Sequence, residues 1–338
     1  MSSKYADAHK STNGPGDARP TALQIIEDQG LTGQLTGKVI LITGCSSGIG
    51  IETAKALATT GATLYLTARD IPAAEKALAE ILKPGQVELI ELDLSTLTGV
   101  REGAERFLQK SSQLNVLICN AGVMAITDLT RTPDGFETQF AVNHLAHFLL
   151  FELLKDTLLV SSSPDFQSRV VAVASSGHRG GGIRVDDYNY TKRPDEYNRW
   201  GAYSQSKTAN IYFANEIERR WGYQGLHALS LTPGAISTGI QRHLPREESE
   251  EYARSTWKTM KSQAQGAATT VLAAIGKEFE GKGAVYLENA EQTGPYPEDD
   301  REYDHVPDIP GYAPHAFNEE LEGRLWADST KMAGGSVL

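Results

Sequence analysis

Short apolar runs, mostly β-branched, alternate along this chain with longer stretches whose apolar residues recur at helical spacing. Val39-Ile40-Leu41-Ile42 is the first such run, of the kind that makes a strand buried on both faces. A helical stretch over 51–60 follows and stops at Gly61. Further strands are predicted over 62–67, 87–92, 115–118, 170–174, 226–231 and 283–287. Helices are predicted between them over 73–82, 96–110, 135–159 and 201–221. So regular an alternation predicts an α/β fold: a doubly wound parallel sheet, Rossmann-like, in a single domain over 37–290.

The flanks are different. Residues 1–36 are polar and carry Gly and Pro, with one short helix over 21–29 whose apolar residues are Leu23, Ile25 and Ile26. That helix is expected to patch the bottom edge of the domain; a partner-binding arm is the alternative. Residues 291–338 form a C-terminal extension rich in Pro, Tyr and acids before a final helix over 317–332.

Composition narrows the function. A net charge of −11 argues against a nucleic-acid partner, which calls for a basic stripe. Two cysteines, Cys45 and Cys119, give no disulfide framework. No apolar run in the first 36 residues could serve as a signal or membrane anchor. A soluble cytoplasmic protein without a metal site is expected, with a homo-oligomer left open.

Candidate chemistry sits after the strands, at the edge where open α/β sheets bind ligands. Thr43-Gly44-Cys45-Ser46-Ser47-Gly48-Ile49-Gly50 joins the first strand to a helix start. Its glycines let the backbone approach a pyrophosphate, and the helix N-terminus offers unpaired N–H groups. The second strand ends at Ala68-Arg69-Asp70, where an acid would select a ribose 2′-hydroxyl and an Arg a 2′-phosphate. Asp70 precedes Ile71-Pro72 and reads as a helix N-cap, leaving Arg69 to favour NADP(H). Tyr203 and Lys207 stand four residues apart, on one face of a helix. A neighbouring ammonium and a cationic nicotinamide ring would bring the phenol toward its working range.

In this order the motifs resemble the short-chain dehydrogenase/reductase family. They are Thr43-Gly44-x-x-x-Gly48-Ile49-Gly50, Asp93, Asn120-Ala121-Gly122, Asn143, Ser176, Tyr203-x-x-x-Lys207 and Pro233-Gly234-x-x-x-Thr238. Val142 to Phe148, Ala202 to Lys207 and Arg324-Leu325-Trp326 resemble its retinol-dehydrogenase and WW-domain-oxidoreductase branch, in the manner of fungal carbonyl reductases of secondary metabolism. The resemblance implies Tyr203 as proton donor, Lys207 on the nicotinamide ribose and Asn143 anchoring a water. It also implies Ser176, second of its pair, on the substrate oxygen, with Ser175 structural. Gly44, Ser46, Ser47, Gly48, Ile49, Gly50, Arg69, Asp93, Leu94, Asn120, Ala121, Gly122, Pro233, Gly234, Ile236 and Thr238 would line the cofactor path. Cys119 stands where the family commonly has Asn.

Substrate choice would lie in loops 177–200 and 239–263, with Tyr188, Tyr190, Tyr197 and Trp200 in the first and Leu244, Tyr252, Trp257 and Met260 in the second. Aromatics around a cleft suggest a flat ketone or aldehyde, but aromatics in long loops also simply anchor them. His178 could meet substrate or be structural. The expected activity is NADPH-dependent reduction of a hydrophobic or aromatic carbonyl compound. Alternatives are a dehydratase or epimerase using the same Tyr/Lys pair, or a non-catalytic NADP(H)-binding regulator.

Overall fold

A computed structural model describes residues 4–296 and 309–335. Eight strands form one sheet: β1 (Val39–Ile42), β2 (Thr63–Ala68), β3 (Val87–Glu91), β4 (Val116–Cys119), β5 (Ser168–Val173), β6 (Leu226–Leu231), β7 (Val285–Glu288) and β8 (Glu291–Gln292). Their order is β3-β2-β1-β4-β5-β6-β7-β8, and every neighbouring pair is parallel except β7–β8. The chain runs outward from β1 to β3, then returns to the other side of β1 as β4. That reversal opens a crevice at the carboxyl edge, between β1 and β4.

The helices are α1 (Ala6–Lys10), α2 (Ala22–Asp28), α3 (Ile49–Ala58), α4 (Ile71–Leu78), α5 (Leu97–Lys110), α6 (Thr138–Phe140), α7 (Ala146–Ser161), α8 (Arg199–Trp221), α9 (Arg246–Ser255), α10 (Gln263–Gly266), α11 (Ala268–Ile275) and α12 (Glu319–Met332). Strand side chains alternate between two cores. Ile40 and Ile42 pack with α2, α3, α4 and α11; Val39 and Leu41 pack with α5, α7, α8 and α12. Among the described residues no helix is long and apolar enough to cross a membrane.

Three elements differ from the sequence expectation. The helix read as continuous over 135–159 begins as the short α6, passes through a π turn over Ala141–Leu145, and continues as α7. The apolar pattern runs through unbroken, so nothing in it marks the turn. The last predicted strand, over 283–287, starts at Val285 and folds back as β8 through Asn289 and Ala290, both at positive φ (56° and 59°). An Asn-Ala pair lacks the glycine that usually announces such a hairpin. The helix expected over 51–60 starts earlier, at Ile49, directly after Gly48.

Both flanks are packed into the domain. Ile25 and Ile26 of α2 are fully buried against α3 and α11, while Leu23 is exposed. Trp326 of α12 meets Phe148, Trp221, Phe151 and Phe213 at ring-centroid distances of 4.8, 5.5, 6.1 and 6.2 Å. Trp326→Ala should therefore lower unfolding free energy by about 3–5 kcal/mol in denaturant titration, the usual cost of emptying a large aromatic site. A loss under about 1 kcal/mol would show that α12 is not part of this core. Cys45 and Cys119 are buried free thiols that burial pushes above the ordinary thiol range, Cys45 to about 12. Both should resist thiol reagent in the native protein and react once it is denatured without reductant; fewer than two reactive thiols would contradict this.

Candidate active site

The glycine-rich loop sits at the crevice because β1 and β4 are stitched together beneath it. Thr43 Oγ1 accepts the N–H groups of Asn120 and Ala121 at 2.9 and 3.0 Å, and Asn120 Nδ2 donates to the Thr43 carbonyl at 2.8 Å. Close packing requires glycine at two places. A Cβ on Gly44, whose φ is +76°, would lie 2.8 Å from Ala121 Cα; one on Gly50 would lie 2.4 Å from the Gly44 carbonyl oxygen. The start of α3 lies at this loop, where a helix N-terminus offers backbone N–H donors. These features fit a dinucleotide pyrophosphate.

A single cleft of roughly 1320 Å³ collects the expected cofactor residues. Gly44, Ser46, Ser47, Gly48, Ile49 and Gly50 line it beside Arg69, Asp93 and Leu94. Asn120, Ala121, Gly122, Pro233, Gly234, Ile236 and Thr238 complete that wall. At the β2 end, Asp70 Oδ1 accepts the Ala73 N–H at 3.0 Å and caps α4, while Arg69 is exposed.

Asn198 caps α8, accepting the N–H groups of Trp200 and Gly201 at 2.9 Å each. One turn later the helix places Tyr203 and Lys207 inside the cleft. Lys207, 2 % exposed, donates from Nζ to the Val173 carbonyl at the end of β5 at 2.9 Å and lies 5.7 Å from the Tyr203 ring centroid. Burial lowers the Lys207 ammonium to about 8. Burial also pushes the Tyr203 phenol up to about 12, opposed by a hydrogen bond with Ser175 and assisted by nearby Tyr252.

Both serines line the cleft, and Ser175 Oγ lies beside the Tyr203 ring: a Cβ on Gly177 would be 3.2 Å from Ser175 Oγ and 2.9 Å from Tyr203 Cε1. Beyond β5 the chain leaves extended geometry for a 3-10 turn over Ser176–Gly180, so strand alternation does not decide which hydroxyl faces the phenol. Ser175 Oγ also accepts the Gly177 N–H at 3.0 Å, and the Ser176 N–H donates to Thr232 Oγ1 at 3.0 Å. His178 is structural. Its Nε2 accepts the Ala313 N–H at 3.0 Å, so Nδ1 carries the proton and donates to the Ser175 carbonyl at 2.6 Å.

Asn143 lies on the π turn and is fully engaged. Its Oδ1 accepts the Val123 N–H at 2.8 Å; Nδ2 donates to the Val123 carbonyl and to Ser206 Oγ, each at 2.9 Å. A Cβ on Gly122 would lie 3.1 Å from Asn143 Oδ1 and 3.5 Å from Lys207 Nζ, so Gly122 separates the two with only backbone. Glu137 fixes the start of the turn by accepting the Gln139 and Phe140 N–H groups at 3.0 and 2.7 Å.

His147, read in the sequence only as a branch signature, connects these parts. Its Nε2 is 2.8 Å from Thr43 Oγ1 and its Nδ1 3.0 Å from the Asn143 carbonyl. Thr43 Oγ1 already accepts two amides, so its proton goes to Nε2 and the ring proton to Asn143. A helical His four residues after Asn143 was the only sequence signal for this bridge.

The far end of the cleft combines apolar residues with charged ones, among them Arg242, His243, Glu248 and Glu251. Met124, Ile126, Val142, Trp200, Leu244 and Tyr252 line it, and the segment after Gly239 covers it. Arg199 Nη2 pairs with both oxygens of Glu248 at 2.6 Å, and Thr127 Oγ1 donates to the His243 carbonyl at 3.3 Å. The three tyrosines of loop 177–200 are anchors instead. Tyr188 donates to Asp328 Oδ2 at 2.9 Å, Tyr197 donates to the Ile126 carbonyl at 2.8 Å, and Tyr190 is buried.

The family model for short chain dehydrogenases matches residues 38–249. The chain is 52 % identical over 331 residues to the short-chain dehydrogenase/reductase prx1 of Penicillium roqueforti, covering 97 % of this chain and 94 % of that protein. It is 36 % identical to the human WW domain-containing oxidoreductase, covering 94 % of this chain and 72 % of that one. Among solved structures, an uncharacterized protein from Mycobacterium Paratuberculosis is similar with a TM-score of 0.65 and 32 % identity, over 89 % of this chain and 95 % of that one. The alternating sheet, the glycine loop on its β1 edge and the Tyr203/Lys207 helix thus come with whole-chain similarity, and the chain belongs to the short-chain dehydrogenase/reductase family of oxidoreductases.

Proposed function

We propose that this chain is an NADPH-dependent reductase of a ketone or aldehyde on a hydrophobic or aromatic small molecule, of the kind met as a secondary-metabolite intermediate. One observation carries the reading. The Tyr203 ring stands beside Ser175 Oγ and Lys207 in the same cleft that the glycine loop lines. We assign the enzyme to the cytoplasm, supported by two buried, unpaired cysteines.

The glycine loop and the start of α3 would hold the pyrophosphate, Lys207 the nicotinamide ribose, and Ile236 and Thr238 the carboxamide. When bound, the cofactor supplies the hydride. Ser175 Oγ then hydrogen-bonds the substrate oxygen and stabilises the charge that develops on it. Tyr203 Oη donates the proton to that same oxygen. A phenol pushed up to about 12 keeps its proton at neutral pH, the state that reduction needs. Lys207, at about 8, retains a proton of its own beside it. Asn143, held at three points, fixes the turn behind Lys207.

Tyr203→Phe should leave cofactor binding intact and lower turnover of phenanthrenequinone, a flat aromatic test ketone, by about 100-fold or more. Ser175→Ala should cost about 100- to 1000-fold in kcat, as for loss of one oxyanion donor, and Ser176→Ala less than about tenfold. The reverse ranking of the serines would overturn the assignment; so would near-normal turnover in Tyr203→Phe.

Cofactor choice follows from the β2 end. Arg69 and Asp70 both line the cleft, but Asp70 Oδ1 is engaged by the α4 cap and Ala68 adds no charge. A guanidinium meeting a 2′-phosphate through charge-assisted hydrogen bonds favours NADPH over NADH by about ten- to a hundredfold. Arg69→Ala should erase most of that difference while barely changing the dissociation constant of NADH. Equal or tighter binding of NADH by the unmodified protein would assign the ribose to Asp70 instead.

A further inference from the structure

The cleft is covered by a segment with little core of its own. Helix α9 is ten residues long and buries none of them. Isolated helices of that length are marginal in water, so the order of this lid depends on how its ends are held. At the upstream side it is tied by the Arg199–Glu248 pair and the Thr127–His243 hydrogen bond. The downstream end, from Trp257 to Met260, is held by residues that lie some 240 positions earlier in the chain.

Arg19 is the centre of that contact. It is 3 % exposed, and its guanidinium is surrounded by acceptors. Nε pairs with Asp17 Oδ1 at 2.8 Å, Nη1 donates to the Thr259 carbonyl at 2.6 Å, and Nη2 donates to the carbonyls of Met260 at 2.5 Å and Gly14 at 3.2 Å. A buried guanidinium cannot shed its charge, so these partners are what make its position tolerable. Asp17 is fixed in turn, accepting the Asn13 N–H at 2.8 Å and the Arg19 N–H at 3.1 Å. The Gly14 N–H donates to the Lys258 carbonyl at 2.9 Å, and a Cβ on Gly14 would lie 3.0 Å from Trp257 Nε1. Gln265 closes the contact from the other side. Its Oε1 accepts the Gly16 N–H at 2.9 Å, and its Nε2 donates to the Asp17 and Arg19 carbonyls at 3.1 and 3.0 Å.

The contact leads directly into the cleft. The residue after Met260, Lys261, donates its N–H to the Ala235 carbonyl at 2.8 Å and forms a parallel bridge with Ile236. Ile236 lines the cleft, and a Cβ on Gly266 would lie 2.6 Å from its Cγ1, so it is wedged between the glycine of α10 and the site.

We propose that the stretch from Asn13 to Arg19 is a positioning element of the active site. It clamps the downstream end of the lid and, through Lys261, the loop that carries Ile236. Arg19 acts through these backbone carbonyls and is a positioning residue. The N-terminal segment is then a working part of the enzyme, and its task is to set how closely the lid covers a bound carbonyl compound.

Amide hydrogen exchange of the full chain tests this without turnover, so the result stands apart from which carbonyl compound is reduced. In Arg19→Ala, exchange over 239–263 should quicken by about ten- to a hundredfold, the equivalent of losing a hydrogen-bonded charged group, while β1, β4 and β5 keep their protection. With phenanthrenequinone as probe, KM should rise by about tenfold or more while kcat stays within about threefold, because the lid and not the proton donor has been loosened. Arg19→Lys, which keeps the charge beside Asp17 but loses the fork, should restore part of both. Unchanged exchange in the lid overturns the proposal; so does acceleration spread evenly through the sheet, or a loss of kcat with KM unaltered. If Arg19→Ala gives no folded protein, Asp17→Asn carries the same test. Faster exchange confined to 239–263 supports the clamp, and an undisturbed lid refutes it.

Discussion

A buried ammonium needs oxygen partners, and the hydrogen bond from Lys207 to the end of β5 is the interaction around which this site is arranged. It fixes the rotation of α8 against the sheet, which in turn places Tyr203 over the crevice and within reach of Ser175. The neighbouring backbone must stay thin, and Gly122 provides that, since a side chain there would press on both Asn143 and Lys207. Asn143 is supplied from a π turn. The π turn before α7 widens the helix at that point, and Glu137 and His147 hold it open from either end. His147 also reaches Thr43, so the seat of the glycine loop and the seat of the Tyr203/Lys207 pair share one hydrogen-bonded seam.

The same logic runs outward from the seam. The cleft has one wall of backbone N–H groups and glycines, suited to an anion, and at its other end apolar side chains such as Met124, Ile126, Val142 and Leu244 among polar residues of the covering segment. The two chain extensions complete it from behind. α12 seals the far side of α7 and α8 with Trp326, and the N-terminal stretch around Arg19 grips the lid. Both extensions are thus structural parts of a single sheet-centred unit.

Much of this was legible in the sequence, for local reasons. Strand runs, glycine turns and the Tyr203/Lys207 spacing each depend on a few neighbouring residues, and their order along the chain locates the crevice. The Asp70 cap was readable from Ile71-Pro72, and the packing of Ile25 and Ile26 from the apolar side of one short helix. What stayed hidden depends on departures from regular geometry or on distant partners. The resemblance ranked Ser176 above Ser175, but the chain turns between strand and 3-10 geometry at that point, which no local pattern announces. The π turn leaves the apolar pattern intact, and the β7–β8 hairpin uses Ala290 at a positive φ where glycine is usual. Arg19 gives no sequence signal at all, since its partners Thr259 and Met260 are brought to it only by the finished fold.

The central claim is that the protein alone holds Tyr203 as a neutral phenol, and that the positive charge of an oxidised nicotinamide ring moves it toward the phenolate. Direct titration of Tyr203 by NMR, with isotope-labelled tyrosine and Tyr203→Phe to assign the signal, measures this. The account predicts a phenol pushed up to about 12 in the chain alone. With oxidised NADP bound it should titrate below about 10, the ordinary tyrosine value, as a nearby cation requires. The same midpoint with and without cofactor, or an ordinary value in the chain alone, would contradict it.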